Sequence, residues 1–446
     1  MRTLVKDILE GNVTGTAEVS GWVHRIRELG GITFVILRDR SGLLQLVLEE
    51  KPDLTLESVI TARGTPAANE KAPGGAELRV QSLEVISRAA VDLPFQVNGD
   101  ITKTGLESIL DNRTLSLRNP KIRSIFKVQA TIIEAFAAYL RSQDFTEIKS
   151  SKLVAGGTEG GTELFEVEYF DRKVCLAQSP QYYKETMVSS GLERVFEIAP
   201  AYRAEKHDTP RHLNEYVSLD MEMAFIESEK DLIELEKGLL AHIFEEVIRK
   251  NSNDVAVWNS TVPDPALVAK APTIPYDQAM TIATAEAAIG LGKAAGKGSG
   301  GKIFDINPEA ERFLCAWAGR EHGIELIFVN QFPRRHRPFY TYPLDLGGGL
   351  ADGKATSTMS FDCLFRGLEI TTGGKRQHDY NAFLSVLPRF GLKPEDMENY
   401  RTLLKYGCPP HGGFAIGCER LTQKILGLAN VKEASLFPRD RKRVLP

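Results

Sequence analysis

The sequence has few cysteines, no long apolar run and little net charge. Cys175, Cys315, Cys363, Cys408 and Cys418 are scattered over 446 residues with no C-x-x-C pair. That argues against a structural zinc site or a disulfide framework, and it fits a reducing compartment. No apolar run approaches the length needed to span a bilayer, and the opening MRTLVKDILEGN has no apolar h-region. A cytoplasmic protein with no membrane partner is therefore expected. The formal net charge is only −4, so the overall field does not mark a nucleic-acid binder, and any RNA contact must rest on local basic patches. A Walker-type phosphate loop is missing as well. Gly296 and Gly301-Lys302 have its spacing, but Ile303 stands where a hydroxyl should bind magnesium. The Ala/Gly/Lys-rich stretch 286–302 is better read as a surface loop.

What is present divides the chain in two. Residues 1–100 are all-β in pattern: GTAEVSGWVHRI, GITFVILRDRSG, LLQLVLEE and two further segments alternate apolar and polar residues between Gly- and Asp-containing turns. Five short strands of this kind suit a Greek-key barrel of the OB type. Residues 101–120 are expected as a hinge. From 121 to 446 helices and strands mix, so the fold class is α+β with an antiparallel sheet. Ile125, Val128, Ile132, Phe136 and Leu140 predict a helix over 121–143, and Leu232, Leu235, Leu239, Ile243 and Val247 predict another over 230–250.

Two segments carry chemistry. In FEIAPAYRAEKHDTPRHLNEYVSLDMEMAF, an alternating strand ends in Arg203, a polar loop follows, and a second strand returns through Val217, Leu219, Met221 and Met223. An arginine at the end of a buried strand is costly unless an anion meets it, and its guanidinium can hold a phosphate bidentately. In PPHGGFAIGCERLTQKILG, glycines precede a strand, and Gly417, Glu419 and Arg420 stand where a helix begins. Arg420 there opposes the helix dipole and wants an anionic or π partner. Taken alone, it fits an exposed surface arginine equally well.

Together these segments resemble motifs 2 and 3 of class II aminoacyl-tRNA synthetases. GGTEGGTELFEVEYF, CLAQSPQYYKE, YRAEKHDTPRHLNE, FRGLEITTGGKRQH, YGCPPHGGFAIGCERL and LFPRDRKR resemble, in order, the blocks of aspartyl-tRNA synthetases of the short archaeal type. The resemblance covers nearly the whole chain. It implies an OB-fold anticodon-binding domain joined to a class II catalytic domain. ATP would be a substrate, with Mg²⁺ as cofactor. L-aspartate and tRNA(Asp) would be the other substrates, and a homodimer is expected.

Roles follow from the same resemblance. Arg203 would hold the α-phosphate, Glu205 would contact the nucleotide, and Arg211, His212 and Leu213 would line its pocket. Arg420 would clamp the ATP over Gly417. Asp362 and Glu369 would bind Mg²⁺, with Thr372 standing where the family usually has serine. Glu159, Gln181, Lys184 and Arg376 would hold the amino acid, and two cations suit a carboxylate side chain. In the barrel, Phe34 would stack on the middle anticodon base and Gln45 would read its edge, with His24, Arg25 and Arg27 as further anticodon contacts. By periodicity alone Phe34 fits the barrel core equally well.

A non-enzymatic RNA-binding protein is disfavoured by the ATP residues, and a paralogue that makes a free amide is disfavoured by Phe34 and Gln45, so two alternatives within the family remain. An asparagine-specific enzyme is the first. The second is charging of tRNA(Asn) as well as tRNA(Asp), which would imply an amidotransferase downstream and is the favoured expectation. Two departures from the family pattern stand out. Ser151 replaces the proline that usually ends motif 1, and the Gly-rich stretch 345–357 is expected to form a lid.

Overall fold

The computed structural model describes residues 2–157, 164–289, 305–344 and 357–445. The chain forms two compact units, Met1–Asn119 and Pro120–Pro446.

In the first unit, helix α1 (Val5–Leu9) precedes β1 (Ala17–Leu29), β2 (Ile32–Arg38), β3 (Leu43–Leu48), β4 (Val59–Ala68) and β5 (Ala76–Ser87). They close a barrel in the order β1-β2-β3-β5-β4. Only the β3–β5 contact is parallel. Because successive side chains point to opposite faces, Val19, Val23, Val35, Leu37, Leu44, Leu46, Ile60 and Leu78 fill the interior. Each contributes roughly 1.5–3 kcal/mol on burial. Their even-numbered neighbours on β2, Phe34 and Ile36, face outward. A bulge between Val23 and Arg25 falls on His24.

The segment expected as a hinge folds with this unit. It carries α2 (Leu106–Asp111) and α3 (Arg113–Ser116), and buries Ile109 and Leu110. Asn119 donates to the Val97 carbonyl at 2.8 Å, and Arg118 pairs with Glu57 at 3.1 Å. Its polar composition looks like a linker because those side chains serve fixed hydrogen bonds rather than water.

The second unit opens with α4 (Pro120–Ser142), whose proline sits at the first turn, where a missing N–H costs little. Strand β6 (Thr146–Glu147) is followed by a small sheet of β7 (Leu153–Val154), β8 (Glu166–Tyr169) and β9 (Arg172–Leu176). Helix α5 (Gln181–Met187) leads to the hairpin β10 (Arg194–Tyr202) and β11 (Glu215–Ala224). Helix α6 (Glu229–Ala256) is capped by Ser228 with Asp231 reaching back, a reciprocal box that satisfies two end N–H groups. There follow α7 (Pro265–Val268), β12 (Thr273–Pro275), α8 (Tyr276–Ile289), α9 (Pro308–His322), β13 (Leu326–Asn330), β14 (Pro343–Leu344) and β15 (Ser357–Thr358). The chain continues through β16 (Ser360–Phe365), β17 (Leu368–Lys375), α10 (Tyr380–Val386), α11 (Glu398–Lys405), β18 (His411–Gly417) and α12 (Cys418–Leu426).

Among the described residues the main sheet has eight strands in the order β12-β13-β16-β17-β18-β11-β10-β6. Its interior pairs are antiparallel, and both edge pairs are parallel. One face is apolar: Leu219, Met221 and Met223 of β11, Phe414 and Ile416 of β18, and Phe361 and Cys363 of β16 pack in one core with α4, α6 and α12. The alternation then forces Ser218, Asp220 and Glu222, Gly413, Ala415 and Gly417, and Asp362 onto the opposite face. That face holds the candidate site. No helix among the described residues is long and apolar enough to cross a membrane.

Candidate active site

A cavity of about 340 Å³ opens on this face, and the two sequence motifs meet in it. Arg203 lies one residue beyond β10. Its backbone N–H donates to the Asn214 carbonyl at 2.9 Å, and the Asn214 amide returns a bond to its carbonyl at 2.7 Å. The hairpin loop is thus tied at its neck, and the guanidinium lies 5.6 Å from the Tyr216 ring centroid. Glu205, Arg211, His212 and Leu213 from the loop, Thr372 of β17, Gly417 of β18 and Arg420 of α12 line the same cavity with Glu369. Arg420 donates to the Glu369 carbonyl at 3.0 Å and reaches its carboxylate at 3.3 Å. Burial depresses the pKa of His212, against the pull of Glu205 3.6 Å away. Burial lifts Glu419 to about 7, although both its oxygens accept from the Val217 N–H.

Two residues the sequence did not single out hold this pocket in shape. Glu311 of α9 accepts a bidentate bond from Arg211 at 2.6 and 2.8 Å and also takes the Glu369 N–H at 3.2 Å. It links the hairpin loop to β17. Arg337 lies 3.8 Å from the Phe332 ring centroid and pairs with Asp362 at 2.8 Å. Neither residue belongs to a sequence block that suggested a site.

Asp362 and Glu369, the expected cation ligands, stand on neighbouring strands. Burial, with Glu369 adding repulsion, pushes Asp362 up to about 6 despite Arg337. Asp362 Oδ1 is buried with no protein hydrogen-bond partner. A carboxylate oxygen left in that state fits a hard cation. Among the described residues no cluster of three or more His, Cys, Asp or Glu residues converges. A cation here would therefore share its shell with substrate oxygens and water.

Beside the cavity lies a sealed network. Lys184, 2 % exposed, donates to Asp220 at 3.0 Å and sits 3.3 Å from Glu222. Arg376 donates to both Glu222 oxygens, at 2.9 and 3.2 Å, and to the Gly413 carbonyl. Burial alone would lower the Arg376 pKa, but Glu222 holds it well above its usual value. Gln181 donates to Glu185 at 2.8 Å. The structure thus brings Gln181, Lys184 and Arg376 together but corrects their expected state, because both cations already have carboxylate partners. The sequence signal for those partners was the acidic phase of LDMEMAF, the positions between its apolar residues. Glu159 lies outside the described residues, as does Gly347–Gly353 of the expected lid.

The far end of the chain closes the cavity's rim. Lys432 pairs with Asp208 of the hairpin loop at 2.8 Å and with Asp440 at 2.6 Å. The Val431 N–H donates to Pro210, and the Asn214 N–H to Arg439.

On the barrel, pairing sets Arg27 opposite Phe34 and Arg25 opposite Ile36, and Ile36 opposite Gln45. These side chains share the outer face, and Phe34 is absent from the barrel core. Gln45 donates to Glu77 at 3.0 Å, and Glu77 also takes the Asn69 amide. That fixes which way the Gln45 amide points. Glu77 was not among the expected contacts. His24 differs from expectation: its ring meets Arg38 at 2.9 Å beside the buried Arg38–Glu57 pair, and burial with Arg38 lowers its pKa to about 4. The bulge turns it out of the Arg25–Arg27 row.

With both surfaces described, the chain can be placed among known proteins. Residues 105–441 match the family of class II tRNA synthetases (D, K and N), and residues 17–86 match an OB-fold nucleic-acid-binding domain. The chain belongs to the class II tRNA synthetases, and it is an aminoacyl-tRNA ligase of the ATP-using kind. It is 44 % identical to an aspartate–tRNA(Asp/Asn) ligase of Thermus thermophilus over the full length of both chains. It is 43 % identical to the ligase of the same description from Deinococcus radiodurans, covering 100 % of this chain and 99 % of that one. Its fold is similar to the asparaginyl-tRNA synthetase of Pyrococcus horikoshii complexed with asparaginyl-adenylate, with a TM-score of 0.86, 28 % identity and full coverage of both chains.

Proposed function

We propose that the chain is an aspartate–tRNA ligase that forms aspartyl-adenylate from L-aspartate and ATP and transfers the aspartyl group to tRNA(Asp) and tRNA(Asn). The observation that carries this reading is the meeting of Arg203 and Arg420, from separate motifs, in one cavity beside the buried network of Lys184 and Arg376. The 44 % identity to an Asp/Asn ligase, against 28 % to the asparaginyl enzyme, favours aspartate as the substrate.

In this reading the aspartate α-carboxylate attacks the α-phosphorus of ATP in line and pyrophosphate leaves. The ribose hydroxyl at the tRNA 3′ end then attacks the adenylate carbonyl and AMP leaves. Arg203 neutralises the α-phosphate, and Arg420 clamps the nucleotide against Gly417 and Glu369. Arg211, His212, Leu213 and Glu205 enclose the base and phosphates. No side chain becomes covalently bonded, so the residues act by positioning and charge neutralisation. Asp362 and Glu369, with Thr372 at their edge, would hold Mg²⁺, which when bound neutralises phosphate charge. On the barrel, Phe34 stacks on an anticodon base while Gln45, oriented by Glu77, reads its edge and Arg25 and Arg27 meet phosphates. We further expect a homodimer, and an amidotransferase acting on Asp-tRNA(Asn).

Charging of tRNA(Asp) and tRNA(Asn) transcripts with labelled aspartate, with labelled asparagine in parallel, tests the reading. Aspartate on both tRNAs is expected, and asparagine incorporation would overturn it. Phe34→Ala should lower charging about 10- to 100-fold, since stacking contributes about 1–3 kcal/mol per base. Pyrophosphate exchange should be spared.

A further inference from the structure

We propose that His411 determines the amino-acid specificity of activation: as an imidazolium paired with Glu185, it supplies the third positive charge that lets the buried network of Gln181, Lys184 and Arg376 receive an acidic side chain at its edge. The inference rests on the aspartate reading above.

Geometry fixes the protonation of the ring. Nε2 faces the Glu185 carboxylate at 3.1 Å, and Nδ1 faces the Pro409 carbonyl at 2.8 Å. Both partners are acceptors. A neutral imidazole has one N–H and would set a lone pair against one of them, so only the doubly protonated ring satisfies both. The other Glu185 oxygen already accepts from Gln181 at 2.8 Å and from the Tyr400 hydroxyl at 3.2 Å, as an ionised carboxylate can. Burial opposes charge on His411, but its contacts with Cys408 and Glu185 lift it to about 10.

The charge count follows. Asp220, Glu222 and Glu185 are buried carboxylates, and Lys184, Arg376 and His411 are buried cations. The set is neutral only while His411 is charged. With a neutral ring it would carry one net negative charge and repel a carboxylate side chain. The groups facing His411 from the packed elements are Glu185 of α5, Glu222 of β11, Arg376 and His378 beyond β17, and Cys408 ahead of β18. The Glu222 carboxylate is held down by Arg376 and Lys184, with His411 adding to them. His411 also accepts the Arg376 backbone N–H at 2.9 Å, which joins the two halves of the network.

The test is aspartate- and asparagine-dependent pyrophosphate exchange by the full chain, H411Q, E185Q and the double variant. H411Q should raise the aspartate KM at least about ten-fold while the ATP KM stays within about two-fold. E185Q removes a negative charge but also an acceptor of Gln181, and it should raise the aspartate KM by clearly less than H411Q does. The double variant restores neutrality and should recover most of the loss. A pair that only props the pocket open would make E185Q as damaging as H411Q and the double variant no better, and either result overturns the proposal. So does an unchanged aspartate KM in H411Q. If H411Q fails to fold, E185Q decides, a ten-fold rise in its aspartate KM counting against the proposal. Exchange by the unmodified chain with asparagine but not aspartate would instead sink the aspartate reading itself.

Discussion

The two halves of the site solve the problem of charge in opposite ways. In the nucleotide cavity the arginines are half-buried, and Arg420 has a backbone carbonyl as its nearest partner. Arg211 is held by Glu311 and Arg420 only loosely by the Glu369 carboxylate at 3.3 Å, so the cavity keeps its cations at its surface, where an incoming anion can reach them. In the amino-acid half every ion is buried and already matched, with Glu222 shared between Lys184 and Arg376. A site that must take up and release a large, highly charged molecule gains from hydrated, loosely held cations. A site that must tell two nearly isosteric small molecules apart gains from a fixed field, where a mismatch leaves a buried group unpaired.

Breaking the open half should have the largest effect. Arg203→Ala removes charge stabilisation that nothing nearby replaces, and kcat of pyrophosphate exchange should fall about 10²- to 10³-fold. A loss under ten-fold would show that Arg420 carries the α-phosphate alone. Gly413→Ala tests whether the closed half has any slack. A Cβ there would meet the Met221 carbonyl at 2.1 Å and a Glu222 oxygen at 2.2 Å. Displacing Glu222 should lower kcat/KM for aspartate about 10²-fold, with the ATP KM nearly unchanged. Glu311→Gln probes the link between hairpin and sheet. Arg211 would lose its bidentate partner, and the ATP KM should rise about five- to ten-fold with the aspartate KM unaffected.

An effect on stability rather than on kinetics lies behind the sheet. Glu236 of α6 is fully buried, and burial lifts it to about 8 from 4.5 against the pull of Thr371 and Cys363. The fold therefore keeps the acid protonated while the unfolded chain ionises. The native state is undisturbed below pH 4.5 and loses up to roughly 1.4 kcal/mol per pH unit as pH rises toward 8. Glu236→Gln should remove that slope. Urea unfolding of both proteins at pH 5 and pH 7.5 should show the variant gaining on the unmodified chain at the higher pH, and parallel curves would reject the assignment.

Much of this was legible in the sequence. The barrel followed from two-residue alternation, and Arg203 and Arg420 from cations placed where strands end or helices begin. Harder to see were the partners. Glu311 and Arg337 reach the site from a helix and a loop with no motif, because the fold packs them against strands distant in sequence. The pairing of Lys184 and Arg376 stayed hidden since a cation's need for an anion does not reveal whether substrate or protein meets it. His24 was misplaced by one bulge, which shifts side-chain direction without leaving a mark in the composition. The supposed hinge failed for a related reason, since polar residues look alike whether they bind water or backbone.

The bridge made by Lys432 has a consequence for the order in which the protein is made. The hairpin loop 203–214 leaves the ribosome some 220 residues before Lys432 and Asp440, the residues that tie it down. Until then Asn214 and Glu311 can hold the two ends of the loop, but its Asp208 stretch has no anchor. A half-synthesised chain would thus possess Arg203 and Arg211 without Arg420 or the geometry to use them, so the onset of nucleotide binding during translation would be a late and abrupt event.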